Sequence, residues 1–528
     1  MAKFNRAAVR AAVAGLIKTE TVPSGRTHEG APAYARDAKS ELFLLAVANM
    51  VGEDTFYESA GARDARFREL VHEVAVDDPE WLAEFLPWLR GEANMRSAPV
   101  VAALEAVRAR LDAGLSGGNR QLVASVLQRP DEPGEALAYW TSTYGRAIPK
   151  PVKRGVGDAV QRLYGERALL KYDGDSRGFR FGDVIDLVHP VPGAPWQGDL
   201  FRHALDRRHG RGEEIPSSLR VLRARAELMS LPVGERRAVL AAPDRLRDAG
   251  ITWEALAGWL QGPMDAAAWE AVIPSMGYMA RLRNLRNFDQ AGVSDEVAAR
   301  VAASLSDPEQ VARSRQFPFR FFSAYQAAPS LRWGDALEKA LAASTANVPA
   351  LPGRTLVLAD TSGSMLGRGV SARSTMSYAQ MAALFGVVLA TRGNDVDLHG
   401  FADGTFRHKV GRGASVLREV GRFVGRIGEV GHGTRIAAAV RATYRGHDRV
   451  IILSDMQTFV DGRGEVGQAV PQHVPMYGFN LAGYKHAAMP AGIGTRHELG
   501  GMTDATFRLI PLMEAGHDAV WPWKTAAA

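Results

Sequence analysis

The sequence predicts a multidomain protein in which a large α-helical region is followed by a doubly wound α/β domain. Apolar residues recur at three- and four-residue spacing through most of residues 35–340, and short β-rich runs alternate with helical segments after about residue 342. The chain has 528 residues, which is too long for one ordinary hydrophobic core. Its hydrophobic fraction of 46% and charged fraction of 23% are typical of globular proteins.

The first region is predicted to consist of many short helices. The clearest amphipathic segments are SELFLLAVANMV, DPEWLAEFLPWL, APVVAALEAVRARL, GDAVQRLYGERALL and SLRVLRARAELM. Short breaks rich in Pro, Gly and Asp separate them. No fixed-period repeat stands out, but helices of about 10 to 15 residues joined by short turns suit an irregular solenoid or a large helical bundle.

Five runs in the second region are predicted strands: TLVLAD (355–360), DVDLHGFAD (395–403), DRVIILSD (448–455), VPMYGFN (474–480) and FRLI (507–510). YAQMAALFGVVLA, between the first two, has the apolar spacing of a helix. Strands that alternate with helices predict a mainly parallel sheet covered on both faces. Such sheets bind ligands at the carboxyl ends of their strands.

Composition restricts the classes of function. The chain has no cysteine, which excludes disulfides, thiolate zinc sites and cysteine nucleophiles, and we expect a cytoplasmic protein. The net charge of +6 permits an anionic partner without requiring one. The N-terminus resembles a weak signal peptide, but its apolar run AAVAGLI is short, so we expect a short amphipathic helix or a flexible arm. The apolar run 382–390 is far shorter than the ~20 residues that span a bilayer.

Polar oxygens cluster at two predicted strand ends. Asp360 closes the first strand, and Ser362 and Ser364 follow it. Thr434 lies in a glycine-rich loop before a helix, and Asp455 ends another buried run. Carboxylates and hydroxyls are the ligands of hard cations, so these residues predict a divalent metal site, with Mg²⁺ as the expected ion.

This site suits binding better than catalysis. With one full carboxylate in the expected inner shell, the ion keeps much of its charge and attracts a partner's Asp or Glu. A metallohydrolase would usually add a general base, for which His432 is the nearby candidate, although a lone histidine in a glycine loop is more often an ordinary polar residue. We find no GxxxxGK[ST], HExxH or GxSxG motif that supports an enzyme, so we expect no enzymatic activity.

Basic residues cluster in the helical region. Residues 144–182 contain nine Lys or Arg and four acids, and GYMARLRNLRNF (277–288) interleaves Arg and Asn with apolar residues that we expect to anchor it. For RHALDRRHGRG (202–212) a solvated helix face is the favoured interpretation. Phe317, Phe319, Phe321 and Phe322 could stack on bases, but four Phe so close together are more often core.

Two resemblances follow from these motifs. Asp-x-Ser-x-Ser, a later Gly-Thr before a helix and a strand-final Asp resemble the metal-ion-dependent adhesion site of von Willebrand factor type A domains. With that domain, the segments GAPAYARDAKSELFLLAVANMVGEDTFYES, GRAIPKPVKRGVGDAV, LLKYDGDSRGFRFGDVIDLVHP and MGYMARLRNLRNF resemble the Ro autoantigen family, including its bacterial members, whose helical part is the TROVE module.

The resemblance implies a ring of HEAT-like helical repeats followed by a type A domain. It implies that the ring's hole takes single-stranded 3′ ends of misfolded RNA and that the outer surface binds a small noncoding Y RNA, through which an exoribonuclease can be tethered. The residues it marks for RNA are Lys150, Lys153, Arg154, Lys171, Arg177, Arg180, Arg281, Arg283, Asn284, Arg286 and Asn287. Pro149 and Pro151 depart from the family's pattern at a helix start.

We therefore expect an N-terminal arm (1–24), a TROVE domain (25–341), a linker (342–353) and a type A domain (354–528). The leading hypothesis is a non-catalytic ribonucleoprotein component that acts in RNA quality control. The alternative is an adaptor whose type A domain binds a partner's carboxylate through the metal. A metal-dependent nuclease is disfavoured.

Overall fold

A computed structural model describes residues 13–527, except residues 49–50, 213, 368, 372–373, 375, 412 and 502. The chain forms two compact units. The first comprises Met1–Ala98, Arg315–Ser323 and Glu338–Ala528, and the second comprises Pro99–Ser314 and Ala324–Leu337. The predicted order of a mostly helical region followed by a mostly parallel sheet with helices is confirmed.

The first unit is built around a mixed sheet. The strands in the described residues are β1 (Val13–Ala14), β2 (Gly25–Arg26), β3 (Pro32–Ala33), β4 (Arg354–Asp360), β5 (Asp395–Phe401), β6 (Thr405–His408), β7 (Arg449–Ser454), β8 (Met476–Asn480), β9 (Ile493–Gly494) and β10 (Arg496–Gly500). Six of these described strands form one sheet in the order β10-β8-β7-β4-β5-β6. All neighbours are parallel except β5 and β6, which are antiparallel. The central position of β4 and β7 brings their carboxyl ends together.

The helices are α1 (Ala38–Ala48), α2 (Ala60–Asp77), α3 (Pro79–Gly91), α4 (Ser97–Asp112), α5 (Asn119–Val126), α6 (Glu132–Tyr144), α7 (Lys150–Leu163), α8 (Glu166–Tyr172), α9 (Phe181–Val188), α10 (Pro195–Arg208), α11 (Arg220–Met229), α12 (Val233–Arg236), α13 (Pro243–Asp248), α14 (Trp253–Leu260), α15 (Ala266–Val272), α16 (Tyr278–Arg283), α17 (Leu285–Ala291), α18 (Asp295–Ser306), α19 (Pro308–Ser314), α20 (Pro318–Ala327), α21 (Leu331–Ser344), α22 (Gly363–Leu366), α23 (Tyr378–Arg392), α24 (Val416–Val424), α25 (Ile436–Thr443) and α26 (Leu509–Glu514). Short 3₁₀ helices cover Arg237–Ala241, Ile273–Ser275, Val466–Gln468 and Pro522–Ala527. Among the described helices, none is long and apolar enough to cross a membrane.

Helices cover both faces of the sheet because its central strands carry apolar residues on both sides. Leu356 and Leu358 of β4 lie in one cluster with Ile436 and Val440 of α25. On the other side α23 packs so closely that a side chain at Gly386 would meet Leu398 at 2.9 Å. Each fully buried Leu or Ile contributes about 1.5 to 3 kcal/mol, so these layers hold the strand ends in place.

The prediction of a strand at residues 507–510 is wrong. Residues 507–510 enter helix α26, and the edge strand is β10, Arg496–Gly500. β10 is charged in sequence yet fully buried, because its charges have partners inside the unit. Arg496 donates from Nε to the carbonyl of Gly467 at 2.7 Å, and Glu498 pairs with Arg36 at 2.6 Å. β10 could not be predicted because buried strands are recognised by a run of apolar residues. β10 lacks such a run, since its polar side chains are paired with residues that are distant in the sequence.

The expectation of an N-terminal helix or flexible arm is wrong for residues 13–24, while residues 1–12 lie outside the described residues. β1 pairs with β9, and Gly15 N–H donates to the Gly492 carbonyl at 2.7 Å. Further along, Tyr34 and Ala487 exchange two backbone hydrogen bonds of 3.0 Å. The N-terminal segment is therefore fixed to the α/β unit by backbone pairing.

The predicted linker 342–353 is also held in the first unit. Helix α21 continues to Ser344, and Arg392 donates to the carbonyl of Val348 at 2.6 Å. Asn347 N–H donates to Asp504 at 2.7 Å. These contacts anchor the segment just before β4.

The helical unit follows the predicted pattern with shifted bounds. GDAVQRLYGERALL forms the end of α7 and all but the last residues of α8, with a break at Tyr164 and Gly165. Pro149 is the residue before α7 and Pro151 lies in its first turn. Proline is favoured in a first turn because its missing N–H has no helical partner there, so both prolines are compatible with the helix.

Candidate metal centre and nucleic-acid interface

The five predicted metal ligands converge at the carboxyl ends of β4 and β7. Asp360 is the last residue of β4, and Asp455 directly follows β7, its neighbour in the sheet. The Gly363 N–H donates to the His432 carbonyl at 2.8 Å and brings the loop of Thr434 to the same place. Asp360, Ser362, Ser364, Thr434 and Asp455 are all buried.

Hydrogen bonds hold the first part of this cluster. Ser362 N–H donates to Asp360 Oδ1 at 2.8 Å, and Ser454 Oγ donates to Asp360 Oδ2 at 2.5 Å. The hydroxyls of Ser362 and Ser364 lie 3.2 Å apart. Ser454 therefore belongs to the site, because it holds the Asp360 carboxylate in place. Its position next to Asp455 in the sequence does not reveal this hydrogen bond.

The two carboxyl groups lie in an environment that opposes their charge. Burial raises the pKa of Asp360, although hydrogen bonds from Ser454 and Ser362 act the other way. Burial and, secondly, the Asp360 carboxylate raise the pKa of Asp455, while the hydrogen bond from Gln457 N–H and an interaction with the Ser364 side chain act the other way. Asp455 Oδ2 is buried and has no hydrogen-bond partner among the described residues.

A divalent cation fits this arrangement. It would neutralise two buried acids, and the unpartnered Asp455 Oδ2 could coordinate it. Asp360, Ser362, Ser364, Thr434 and Asp455 supply the hard oxygen atoms that Mg²⁺ prefers. Such an ion would hold an anionic ligand at any position that these residues leave open.

Asp403 was missed by the sequence analysis, and it shapes the loop that carries Thr434. Its carboxylate accepts hydrogen bonds from the N–H groups of His432 and Gly433 at 3.1 and 3.0 Å. A side chain at Gly431 or Gly433 would meet Asp403 at 2.3 Å, and Gly431 has φ +86°. The glycines of GHGT are therefore required by this close approach.

His432 contributes to the site through its backbone. Its carbonyl accepts from Gly363, its N–H donates to Asp403, and its imidazole is exposed. This agrees with the interpretation of His432 as a loop residue.

Two more residues at the metal loops lie far upstream in the sequence. The pKa of Tyr57 is raised, mainly by burial and its hydrogen bond to Glu29, while a hydrogen bond with Ser364 acts the other way. The Glu29 charge in turn contributes to raising the pKa of Asp455. No motif marks Glu29 or Tyr57, so their place beside these loops could not be predicted from the sequence.

The predicted RNA-binding residues lie in the helical unit and fall into two groups. Those with exposed side chains are Lys150, Arg154, Lys171, Arg177, Arg283 and Arg286, while Lys153 is half-buried. The remaining residues are Arg180, Arg281, Asn284 and Asn287, which make contacts within the unit. Helix α7 buries Val152, Val156 and Val160, and this directs Lys150 and Arg154 to the surface.

Arg180 holds its own loop together. Its guanidinium pairs with Asp173 at 3.1 Å and Asp175 at 2.8 Å, and its side chain is only 15% exposed. Arg177 nearby is exposed. Of these two arginines, Arg177 is the one presented to solvent.

Asn284 separates α16 from α17 and is buried. It donates to the Ala280 carbonyl at 2.8 Å and accepts from Asn287 Nδ2 at 2.7 Å, while Arg281 donates to Ser304 Oγ at 2.7 Å. Arg283 and Arg286 remain exposed on this support. The segment is therefore a fixed ridge that presents two guanidinium groups.

A cleft of about 430 Å³ connects two of the predicted segments. Lys171 lines it together with Tyr278 and Met279 at the start of α16, and with Gln310 and Arg313 of α19. It brings Lys171, from the first basic segment, beside the segment that carries Arg283 and Arg286. These segments lie about 100 residues apart in sequence, so only the fold reveals the contact.

The basic run 202–212 is largely neutralised by acids. Arg208 pairs with Asp183 at 2.6 Å and His209 approaches Asp186 at 2.8 Å. This agrees with a solvated helix face. Phe317, Phe319, Phe321 and Phe322 are buried, as expected for core residues.

Comparisons with known proteins agree with this architecture. The sequence model of the TROVE domain matches residues 250–333, which include the ridge with Arg283 and Arg286. The crystal structure of the Ro (Rsr) protein of Deinococcus radiodurans has a similar fold, with a TM-score of 0.60 and 18% sequence identity. The match covers 89% of this chain and 99% of that chain. No curated protein matches the chain. The resemblance to the Ro autoantigen family is therefore confirmed, and the chain carries a TROVE-domain sequence within the fold of a Ro protein.

Proposed function

We propose that this protein binds RNA without catalysing a reaction and acts in RNA quality control. Its ligands would be a small noncoding, Y-like RNA and the single-stranded 3′ ends of misfolded RNA, and an exoribonuclease could be tethered through the RNA. The observation that carries the proposal is the fixed ridge with exposed Arg283 and Arg286 inside the TROVE-matched segment. We place the protein in the cytoplasm, in keeping with its lack of cysteine.

The chemistry of the exposed side chains supports RNA rather than a protein ligand. Arginine presents a planar fork that can bind a phosphate through two hydrogen bonds, and it stacks on bases. Arg283 and Arg286 are exposed, and their segment is supported by the buried Asn284. Lys171 and Arg313 in the nearby cleft add positive charge along the same unit.

Filter binding with charge-removing variants tests this proposal. We expect the double variant Arg283→Gln/Arg286→Gln to bind a stem-loop RNA with a single-stranded tail about tenfold more weakly or worse, since phosphate contacts are lost. Arg300→Gln is the matched control, because Arg300 is 64% exposed in the same TROVE-matched segment and pairs with Glu296 of its own helix. Equal affinity of the double variant and the wild type would contradict the proposed RNA surface.

We further propose that Asp360, Ser362, Ser364, Thr434 and Asp455 bind a divalent ion, expected to be Mg²⁺. The unpartnered, buried Asp455 Oδ2 supports this assignment. The same observation favours a second candidate function, a protein-interaction adaptor whose partner supplies a carboxylate to the ion. Chelation separates the two functions, because RNA binding by the helical unit should persist in EDTA while adaptor binding should be lost.

A further inference from the structure

A second basic surface lies on the α/β unit. Residues 405–435 contain seven Lys or Arg and two acids, and one of these acids, Glu419, is buried. Helix α24 lies in the middle of this region and belongs to the first compact unit. Four exposed residues at i, i+3, i+4 and i+7 share one side of this helix and its C-cap, and we call them the α24 strip: Arg418, Gly421, Arg422 and Gly425.

The buried side and the start of α24 hold the strip in place. The Phe423 ring is buried and packs on Phe406 of β6, with the ring centroids 5.2 Å apart. At the start of the helix, the Glu338 carboxylate accepts hydrogen bonds from Val416 N–H at 2.6 Å and from Ser415 Oγ at 2.7 Å. The strip is therefore presented by a helix that is anchored on its inner face and capped at its N-terminus.

The two arginines of the strip have guanidinium groups that are available to a partner. Arg418 is exposed, and none of the residues that the structure describes pairs with its guanidinium. Arg422 is 64% exposed, and its Nη1 donates to both carboxylate oxygens of Glu419 at 2.9 and 3.1 Å. Within the described part of the chain its Nε and Nη2 have no partner, so the buried Glu419 orients Arg422 while one edge of the guanidinium stays open. The run 202–212, by contrast, is largely neutralised by acids.

The glycines of the strip leave the helix backbone accessible. Gly421 lies in the interior of α24, and a Cβ added there would meet no atom within 4 Å. Glycine in a helix interior is less favourable than alanine because it loses more backbone entropy on folding, and no close approach of a described residue requires it here. Gly425 has φ −64°, and a Cβ there would contact only the backbone of its own helix. The strip thus combines two guanidinium groups with two positions where a partner can come close to the helix.

These features fit the phosphate backbone of RNA better than a protein or a membrane. Protein interfaces are anchored by aromatic or other large side chains in pockets, and helices that lie on membranes expose an apolar face. Helix α24 instead buries Leu417, Val420 and Phe423 and exposes arginine and glycine along the strip. Arginine can bind a phosphate through two parallel hydrogen bonds, and the glycines leave room for a sugar–phosphate chain to lie against the helix.

We propose that the α24 strip is a second RNA-binding surface, which contacts phosphates and does not read the base sequence. It would take another segment of the RNA that the helical unit binds, so this inference rests on the proposed RNA binding. The strip contains none of the proposed metal ligands, and its binding should therefore persist in EDTA. Because contacts on two linked units reinforce each other, RNA that engages both units should bind more tightly than RNA that engages one.

Filter binding of the full-length protein to a stem-loop RNA with a long single-stranded tail tests the proposal. We expect Arg418→Gln/Arg422→Gln to weaken binding about threefold to tenfold and to make it less sensitive to salt, because phosphate contacts are lost. Gly421→Gln should also weaken binding, since its side chain occupies the space above the helix, although glutamine is the better helix former. The matched control, Arg463→Gln/Lys485→Gln, removes two exposed charges from the same unit and should bind like the wild type. Thermal unfolding checks that each variant stays folded.

Crosslinking locates the contact on the wild-type protein. RNA with 4-thiouridine in its tail should, on irradiation, give crosslinked peptides from residues 416–426 as well as from the helical unit. Wild-type affinity of a folded Arg418→Gln/Arg422→Gln variant would overturn the proposal and leave RNA binding by the helical unit intact, and so would crosslinks confined to the helical unit. Binding of polyglutamate that is lost in this variant while its RNA affinity is unchanged would assign the strip to an acidic protein instead. Failure of the wild type to bind RNA at low salt would overturn both this inference and the proposed function.

Discussion

Asp360 and Asp455 are two buried acids placed side by side by neighbouring strands. Burial raises the pKa of each. In the folded, metal-free protein these groups therefore keep protons at pH values where the unfolded chain, with a carboxyl pKa of about 3.9, has lost them. Because the folded state binds more protons, this pair makes the metal-free protein less stable as the pH rises above about 4 and through the raised pKa values.

The variant Asp455→Asn tests how much this buried acid destabilises the metal-free protein. At neutral pH we expect the variant to stabilise the metal-free protein by about 1 to 3 kcal/mol, since the folded state no longer has to hold a proton that the unfolded chain would release. It should also abolish the rise in melting temperature that Mg²⁺ gives the wild type, as measured by thermal unfolding with and without the ion. Asp395→Asn is the control, because Asp395 is 59% exposed. A variant that still gains stability from Mg²⁺ would count against Asp455 as a ligand.

At the residue scale, the convergence of the five polar residues at the strand ends could be expected from the sequence, whereas the exposure of the basic residues could not. Asp360, Ser362 and Ser364 are contiguous, and Thr434 and Asp455 stand at recognisable element ends, so the motif could be found without a structure. Glu29 and Tyr57 could not, because only the folded chain brings them to the metal loops. For Arg180 and Asn284 residue type alone could not separate solvent-facing groups from groups with partners inside the unit.

At the scale of elements, strand β10 shows where an apolar pattern fails to predict a buried strand. It is fully buried, yet three of its residues are Arg496, His497 and Glu498. Glu498 is neutralised by Arg36, which donates from Nε and Nη2 to its two carboxylate oxygens at 2.8 and 2.6 Å. Strand prediction from sequence depends on a run of apolar residues. Because β10 lacks one, the last strand was predicted at residues 507–510 instead.

Arg36→Ala should reveal how much this buried pair matters. Removal of the guanidinium leaves the Glu498 carboxylate buried, and among the described residues Asn480 remains as its side-chain partner. We expect a loss of about 3 to 5 kcal/mol in the free energy of unfolding, measured by urea denaturation. Arg300→Ala, at an exposed helix site, should cost less than about 0.5 kcal/mol. Similar stabilities for the two variants would show that the pair contributes little.

At the scale of the whole molecule, the order of the regions was predictable but the units were not. The alternation of β-rich and helical segments predicted the sheet, and apolar residues at three- and four-residue spacing predicted the helices. The N-terminal residues, however, belong to the α/β unit through β1 with β9 and Arg36 with Glu498. Pairings between the two ends of a chain leave no periodic signal in either segment.

We propose that the helical unit binds RNA mainly through phosphate contacts. The most direct test is the affinity of the full-length protein for a tailed stem-loop RNA, measured in EDTA between about 50 and about 200 mM salt. We expect clear binding at low salt that weakens by at least tenfold over this range, with the same affinity when Mg²⁺ replaces EDTA. Absence of binding at the lowest salt, or binding that requires the divalent ion, would contradict the claim.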